Sequence, residues 1–553
     1  MPPTDSCGLA VVIRPPLSVI EADVHQQLHA FLRAQGDTQW PHHLTVARLV
    51  ARALRLGSHA LLQAGAPAGD HGHYRISYLA SALIWPGPVI LVAPLETQQR
   101  LLHVEIPRLQ AWLGLSKAIW QGDRWPQTQV DGLLLTTPAA WLTDRLFETD
   151  AFPPQIPTII DGIDDLETWT RQQLQVDLEP ADWRSLALAQ PAARDRIRDT
   201  QVQLTHLLFQ HPPNPYGCYL LEGEEQVLLE DLFWDLHQMG SYNPSQLLTL
   251  DPSQNPPLPV LPDRVQVSTS LPPSWQRFWH QIQQPHTLTW VTLHREQGQF
   301  SLHCAPIQIA PALAPIWSQQ PVILISGAID QQPETGTYGQ RLGLPEMTTV
   351  KFSPDRQREQ IYLYLPEGLP TPNTREFQPA LLHELRKLLT LQATTQGISV
   401  LLIGDLPLKA QIGSQLAAEF GSRVQVERTC LESNGILVTG WEFWRQQQRV
   451  FPAPHLMAIA TLPIPSLEHP LVAAQVADYK RQKQDWFRLY LLPTALADLQ
   501  RAITPLRESQ GIVALLDSRV VRRTYGQQVL AALSPFARLN YLDPDLFLAN
   551  GGP

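Results

Sequence analysis

The sequence predicts an α/β protein built from two parallel-sheet domains with a mainly helical insertion between them. Three observations indicate this fold class: short apolar runs that end in polar residues, amphipathic helical segments between those runs, and a restart of the same alternation after residue 310. Such runs are typical of strands buried on both faces of a parallel sheet, and their alternation with helices is typical of α/β domains. At 553 residues the chain is also too long for one core.

The first α/β domain is predicted over residues 1–168. Its strand candidates are residues 88–94, 131–137 and 157–161, and its helix candidates are residues 45–56 and 96–113. Each strand candidate is an apolar run bounded by proline, glycine or aspartate, which interrupt regular structure. The third run ends in Asp161, so this carboxylate is expected at the carboxyl edge of the sheet.

The insertion is predicted over residues 169–306, which are rich in glutamine, leucine, tryptophan and proline. Its helix candidates are residues 184–211 and 224–239, and some strand is expected at residues 287–302. A proline-heavy loop is predicted at residues 250–273. The composition therefore separates this region from the α/β pattern on either side.

The second α/β domain is predicted over residues 307–553, because the alternation of apolar runs and helical segments restarts there. Its strand candidates are residues 321–326, 398–404, 435–439, 456–462 and 512–517, and its helix candidates include residues 377–389 and 408–420.

Charge and cysteine content limit the function classes. The net charge of −10 argues against a protein coated in basic surface, although it allows a local basic channel. Cys7, Cys218, Cys304 and Cys430 form no CxxC pair, so no metal centre is predicted and a reducing compartment is favoured. No apolar stretch of about 18 residues occurs, as a membrane-spanning helix needs. We therefore expect a soluble, cytoplasmic protein without membrane contact.

Several segments resemble, in order and spacing, the motifs of DinG/XPD-like superfamily two DNA helicases. The segments are QAGAPAG at 63–69, IIDGID at 159–164, VILISGAI at 322–329, TGWEFW at 439–444 and QRAITPLR at 500–507. The resemblance covers roughly residues 45–530. It implies two RecA-like motor domains, an arch-like insertion, ATP and Mg²⁺ as cofactors, and single-stranded DNA or another nucleic acid as partner.

The resemblance also implies roles for individual residues. Asp161 and Arg507 stand at catalytic positions of the family, and the candidates for nucleotide binding are Gly65, Gly69, Arg75 and Gln500. Asp161 is equally compatible with a plain turn at the end of a strand. Residues 98–157, where many relatives hold an iron–sulfur cluster, contain no cysteine, so no cluster is predicted.

The residues that phosphoryl transfer needs are largely missing. The chain has no lysine before Lys117, so the phosphate-binding lysine is absent, although Arg75 could supply a substitute cation. Gly162 stands where the family has the water-activating glutamate, and glycine cannot act as a base. Thr504 replaces one arginine of the last motif. These losses predict little or no ATP hydrolysis.

Two aromatic and basic clusters are candidates for nucleic-acid binding, because bases stack on aromatic rings and phosphates pair with cations. Their residues are Trp441, Trp444, Arg445, Trp486 and Arg488. The alternative is that the aromatic rings lie in the core and the charges form a solvated face.

Three functions stay open from the sequence. The first is a nucleic-acid-binding pseudo-helicase, and the second is an active ATP-dependent DNA helicase with an unusual nucleotide loop. The third is a protein-interaction scaffold, which the negative net charge and the composition of the insertion favour.

Overall fold

A computed structural model describes most of the chain. The described residues are 20–35, 40–65, 72–126, 131–241, 271–327, 329, 337–354, 356, 358–392, 397–539 and 541. Gly69 and residues 250–270 of the predicted proline-rich loop lie outside them. In the described part, no helix is long and apolar enough to cross a membrane.

The strands are short, and those at the centre of each large sheet are fully buried. In chain order they are β1 (Ala60–Gln63), β2 (Val89–Val92), β3 (Ile119–Gln121), β4 (Leu133–Thr136), β5 (Thr158–Asp161), β6 (Val176–Leu178), β7 (Cys218–Leu220), β8 (Thr287–His294), β9 (Gln299–Pro306), β10 (Val322–Ser326), β11 (Thr348–Lys351), β12 (Ile361–Tyr364), β13 (Ser399–Leu402), β14 (Val424–Val426), β15 (Ile436–Thr439), β16 (Leu456–Ile459), β17 (Ile512–Leu515) and β18 (Phe536–Leu539). Leucine, isoleucine and valine dominate the central strands, as burial on both sheet faces requires.

Helices lie between most of the strands. In chain order they are α1 (Ile20–Gln35), α2 (His43–Leu56), α3 (Arg75–Ile84), α4 (Leu95–Arg100), α5 (Ile106–Leu113), α6 (Pro138–Phe147), α7 (Leu166–Leu174), α8 (Pro180–Ala189), α9 (Arg194–Leu208), α10 (Glu224–Ser241), α11 (Pro273–Ile282), α12 (Ala310–Gln319), α13 (Thr337–Arg341), α14 (Phe377–Gln392), α15 (Leu406–Phe420), α16 (Trp441–Gln447), α17 (Pro470–Arg481), α18 (Leu492–Ala502), α19 (Thr504–Ser509), α20 (Arg519–Arg522) and α21 (Gly526–Leu533). A π-turn at Leu101–Glu105 joins α4 to α5.

The helix predicted over residues 184–211 is two helices, α8 and α9. Pro191 lies between them, and proline cannot donate the backbone hydrogen bond that a continuous helix needs. The other helix candidates are confirmed within a few residues of their predicted ends.

The first sheet is entirely parallel, in the order β11-β1-β10-β5-β2-β4-β3. The strands β10 and β11 follow the insertion in sequence, yet both hydrogen bond to β1. The domain start that we predicted at residue 307 is therefore too early, since residues 322–351 complete the first sheet. The reason is topological: β10 fills the position between β1 and β5, which no residue before the insertion occupies.

The second sheet is also parallel, in the order β14-β15-β13-β16-β17-β12-β18. Its first strand in sequence is β12, and its core includes Leu401, Val438, Ala458 and Ala514. The predicted fold class, with two parallel sheets of the RecA-like type, is confirmed. Both sheets belong to one compact unit made of the described parts of Met1–Leu166, Ala312–Thr461 and Leu496–Pro553.

The insertion forms its own compact unit from Glu167–Pro311 together with Leu462–Ala495. It contains an antiparallel sheet, β6-β9-β8-β7, in addition to the predicted helices. Trp183, Trp275, Phe278 and Trp279 lie in its core, so many of the abundant aromatic residues of this region pack internally. The segment Leu462–Ala495, which we predicted as part of the second α/β domain, packs here through contacts of α17 with β7 and β8.

Candidate functional site

The buried carboxylate of Asp161 is the centre of the candidate site. Asp161 ends β5 at the carboxyl edge of the first sheet and is 1% exposed. Arg75 is the first residue of α3, and its Nε donates to Asp161 Oδ2 at 2.9 Å. Arg75 is 5% exposed, so the ion pair is shielded from water. Two of the predicted site residues, 86 positions apart, are thus in direct contact.

Two tyrosine hydroxyls complete the shell of Asp161. The Tyr78 hydroxyl donates to Oδ2 at 2.9 Å, and the Tyr74 hydroxyl donates to Oδ1. Because Tyr74 and Tyr78 are four residues apart at the start of α3, they lie on one face of the helix. Burial, together with the charge of Asp161, raises the pKa of both tyrosines well above the usual value of 10.0. Both hydroxyls therefore stay protonated and remain donors.

Arg75 is held in its charged form. Burial by itself would lower the pKa of this guanidinium, but the charge of Asp161 and its hydrogen bond with Arg75 outweigh burial and raise the pKa. A Cβ on Gly72, whose φ is +65°, would lie 2.2 Å from Arg75 Nη1. Glycine at position 72 therefore leaves the space that the Arg75 side chain fills.

The start of the loop after β1 uses its amides within the protein. The Gly65 amide donates to the Gly327 carbonyl at 2.9 Å, and the Ala64 amide donates to the Ser326 carbonyl at 2.8 Å. Phosphate-binding loops instead point successive amides at the ligand. Gly65, a predicted nucleotide-binding residue, hence commits its N–H to Gly327, which follows β10 of the same sheet. Gly69 lies outside the described residues.

The Asp161 shell does not fit the Mg²⁺ that the family resemblance implies. Mg²⁺ takes oxygen ligands in octahedral geometry, often from one carboxylate and the phosphates of a nucleotide. Here the carboxylate already accepts three hydrogen bonds, one from a permanent cation that would repel a metal ion. In the described part of the chain, no group of three or more histidine, cysteine, aspartate or glutamate residues is placed to hold a metal.

A second charged cluster lies just beyond β5. Arg501 Nη1 donates to Asp165 Oδ1 at 2.9 Å, and Arg445 Nη2 donates to the same oxygen. Arg501 Nη2 also lies 3.9 Å from Asp164 Oδ1. Burial would raise the pKa of Asp165, but Arg501 and Arg445 outweigh burial and lower it. Asp165 is therefore a stable anion between two arginines.

Two of the predicted nucleic-acid-binding residues have other contacts. Trp444 is 1% exposed, stacks on Phe451, and donates from its indole nitrogen to the Ala502 carbonyl at 3.0 Å. Its ring is part of the core, which is the alternative that the sequence left open. Arg445 pairs with Asp165, and its neighbour Trp441 is half-buried.

The other predicted cluster lies in the second compact unit and reaches the surface. Arg488 is well exposed and lies 3.7 Å from Asp485. Trp486 is half-buried, and Lys480 Nζ lies 5.3 Å from the centre of its ring. Lys483, Arg481 and Lys480 are also exposed. We call residues 480–488 the basic–aromatic cluster.

Arg507, a predicted catalytic residue, has only structural contacts among its hydrogen bonds. It is 1% exposed and donates to the backbone carbonyls of Glu359, Leu533, Ser534 and Pro535. Burial lowers its pKa to about 10. The guanidinium thus joins the segment before β12 to the end of α21. Gln500 is half-buried, and its carbonyl accepts from Thr504.

Sequence reasoning missed Tyr74, Tyr78, Asp165 and Arg501 as site residues. Nothing in the sequence indicated that the Tyr78 hydroxyl reaches Asp161. The pair of acids after Asp161 and the arginine next to Gln500 were the available signals for the second cluster.

Part of the sequence is similar to known DNA helicases. No family model matches the chain. ATP-dependent DNA helicase YoaA of Haemophilus influenzae is 26% identical over 270 residues, which cover 46% of this chain and 42% of YoaA. YoaA of Escherichia coli is 23% identical over 256 residues, which cover 43% of this chain and 40% of that protein. The matched segment thus spans less than half the length of either relative.

Solved structures show the same architecture. A solved XPD helicase aligns with a TM-score of 0.58 at 12% identity, covering 90% of this chain and 99% of its own. Xpd4 of S. tokodaii aligns with a TM-score of 0.55 at 12% identity, covering 90% of this chain and all of its own. At this identity the likeness shows the fold.

The two parallel sheets, the first of them interrupted in sequence by the insertion, define a protein of the two-domain, RecA-like helicase fold. The chain is similar to the YoaA DNA helicases in part of its sequence and to solved XPD helicases in its fold.

Proposed function

We propose that this protein binds single-stranded nucleic acid and does not hydrolyse ATP. The observation that carries the proposal is the buried contact of Arg75 with Asp161, which puts a cation where the family resemblance implies a metal ion. The helicase relatives support the nucleic-acid half of the proposal.

The chemistry of phosphoryl transfer supports the loss of hydrolysis. Transfer needs a bound metal, a phosphate-binding cation and a group that positions water. Arg75 is the nearest cation, but Asp161 holds it, and Gly162 offers no base. Since loss of one transition-state cation commonly lowers the rate about 10³- to 10⁵-fold, several losses together leave negligible turnover.

The basic–aromatic cluster supports strand binding. Half-exposed indoles give bases a stacking surface, and nearby lysine and arginine side chains neutralise phosphates. Trp486 and Lys480 form such a pair, and Arg488 adds an exposed cation. Residues 480–488 are therefore the surface on which we place the strand.

The first experiment measures ATP turnover by the purified protein with and without single-stranded DNA. We expect no turnover above background under either condition. DNA-stimulated turnover that Asp161→Ala abolishes would instead establish an active helicase with an unusual nucleotide loop. The Arg75→Lys variant is measured under the same two conditions as a matched test. It keeps the positive charge beside Asp161 and changes the geometry of the hydrogen bonding.

The second experiment measures binding of a fluorescent oligothymidylate by anisotropy. We expect Trp486→Ala to weaken binding roughly 5- to 100-fold, since stacking contributes about 1–3 kcal/mol per base. Binding by the unaltered protein should fall steeply as salt rises. Arg184→Ala is a control, because Arg184 is an exposed arginine of the same compact unit outside the cluster. Equal losses in both variants, or no binding at low salt, would contradict the proposal.

A second candidate function, a protein-interaction scaffold, is supported by the insertion. Residues 169–306 carry 14 acidic residues against eight arginines and no lysine. On α10, Trp234 and Val227 are 44% and 53% exposed beside the exposed acids Glu230 and Asp231. A stable partner that Trp234→Ala releases and Trp112→Ala retains would favour this function, because Trp112 is a similarly exposed indole of the first domain.

A further inference from the structure

We infer that the carboxylate of Asp165 acts as an internal clasp that joins the two parallel-sheet domains. Asp165 follows β5 of the first sheet, whereas Arg445 and Arg501 belong to helices that flank the second sheet. All three residues lie in one compact unit. The inference goes beyond the proposed function, since it holds whether or not the protein binds nucleic acid.

The first-domain side of the clasp is fixed to its own backbone. Asp164 Oδ2 accepts a hydrogen bond from the Gly327 amide at 2.9 Å, which ties the turn after β5 to the end of β10. Asp165 is the next residue, and its amide donates to the Gly162 carbonyl at 3.1 Å. The carboxylate of Asp165 is therefore presented by a turn with little freedom to withdraw.

The second-domain side is equally fixed. The indole nitrogen of Trp444, on α16, donates to the carbonyl of Ala502, the last residue of α18, at 3.0 Å. Trp444 precedes Arg445 and Ala502 follows Arg501, so this single hydrogen bond ties together the two segments that carry the arginines. Trp444 is buried, so this hydrogen bond is shielded from water. The two arginines are thus held in place independently of Asp165, which lowers the entropy lost when they pair with its carboxylate.

The side chains of the cluster carry opposite charges and are only partly buried. The side chains of Asp165, Arg445 and Arg501 are 34%, 36% and 22% exposed. Asp164 and Asp498 add negative charge near Arg501, and Arg341 adds positive charge near Asp498. Partly exposed pairs are screened by salt, so the clasp should weaken as ionic strength rises.

The test measures the distance between the domains by energy transfer in the full-length protein. One dye is attached to the exposed Cys430 and the other to a Gln99→Cys variant on α4, with Cys7 and Cys218 replaced by serine. Removing the charge with Asp165→Asn should raise the fraction of open molecules roughly two- to fivefold at low salt, the change that an exposed ion pair supports. Arg445→Gln should act in the same direction from the other domain.

The controls separate the clasp from general damage. Arg386→Gln removes an exposed ion pair with Glu419 that lies within the second domain, and it should leave the transfer unchanged. The double variant Asp165→Asn/Arg445→Gln should open no further than Asp165→Asn alone, because both changes break one contact. If Asp165→Asn opens the protein no more than Arg386→Gln does, the clasp is overturned. The same holds if the effects of Asp165→Asn and Arg445→Gln add in the double variant.

Discussion

Asp161 is the last residue of β5 and Asp165 follows it four residues later, yet their surroundings are opposite. Asp161 is buried and is held by Arg75, Tyr74 and Tyr78 of its own domain. Asp165 is partly exposed and pairs with two arginines of the other α/β domain. One carboxylate therefore contributes to the core of a domain, and the other contributes to the contact between domains.

The difference shows how burial sets the consequence of the same chemistry. A buried charge that loses its partner is left without solvation, so breaking the pair is strongly destabilising. An exposed charge that loses its partner is solvated by water, so breaking the pair has a small effect. The Asp161 shell should thus resist salt and respond strongly to substitution, and the Asp165 cluster should show the reverse.

The largest expected effect follows from Arg75→Ala. The substitution leaves the buried Asp161 carboxylate without its cation and should lower the free energy of unfolding by about 3–5 kcal/mol. Urea unfolding followed by intrinsic tryptophan fluorescence would measure the change.

A double variant sharpens this prediction. Arg75→Met combined with Asp161→Asn removes both charges, and it should be less destabilised than Arg75→Ala, because no unpaired charge remains buried. If the double variant is the less stable of the two, the ion pair itself stabilises the fold and the burial argument fails.

The next effect concerns the tyrosine hydroxyls. Tyr78→Phe removes a donor to a buried carboxylate and should lower the free energy of unfolding by about 1.5–3 kcal/mol, as for hydrogen bonds to charged groups. Tyr364→Phe is the matched control, since the Tyr364 hydroxyl donates to Glu384 at 3.2 Å at a half-exposed position. Equal losses in the two variants would show that burial does not strengthen the contact.

The same hydroxyls predict a loss of stability at alkaline pH. The unfolded chain releases tyrosine protons near the usual pKa of about 10, whereas Tyr74 and Tyr78 keep theirs in the folded state because their pKa is raised. The folded state then binds more protons, so its stability falls as pH rises above about 10. The fall should be shallower in Tyr78→Phe, as unfolding at a series of alkaline pH values would measure. An unchanged slope would contradict the raised pKa.

Much of this architecture could be predicted from the sequence, because apolar runs mark buried strands wherever they occur. The apolar runs do not encode which strand lies next to which in the sheet. The strand β10 follows the insertion but lies between β1 and β5, so the predicted start of the second domain at residue 307 was too early. Order along the chain and order across a parallel sheet are independent.

The candidate site was predictable in part, and the limits are physical. Asp161 and Arg75 were singled out by the family resemblance, but their contact depends on the path of the loop between β1 and α3. Trp444 and Trp486 have the same residue type near arginines, yet one is core and the other reaches the surface. Local sequence does not distinguish them, because the elements that cover Trp444 come from distant parts of the chain.

The smallest expected effect is that of Asp165→Asn on overall stability. A partly exposed ion pair contributes about 0–1 kcal/mol, so the free energy of unfolding should change within that range. The dependence on salt is the sharper measurement. Raising ionic strength from about 0.1 M to 1 M shortens the screening length from about 10 Å to 3 Å, which weakens the exposed pairs and leaves the buried pair largely unaffected. Salt should therefore remove most of the difference between Asp165→Asn and the unaltered protein. The deficit of Arg75→Ala should persist at both salt concentrations, and a salt response common to the two variants would erase the distinction between the two carboxylates.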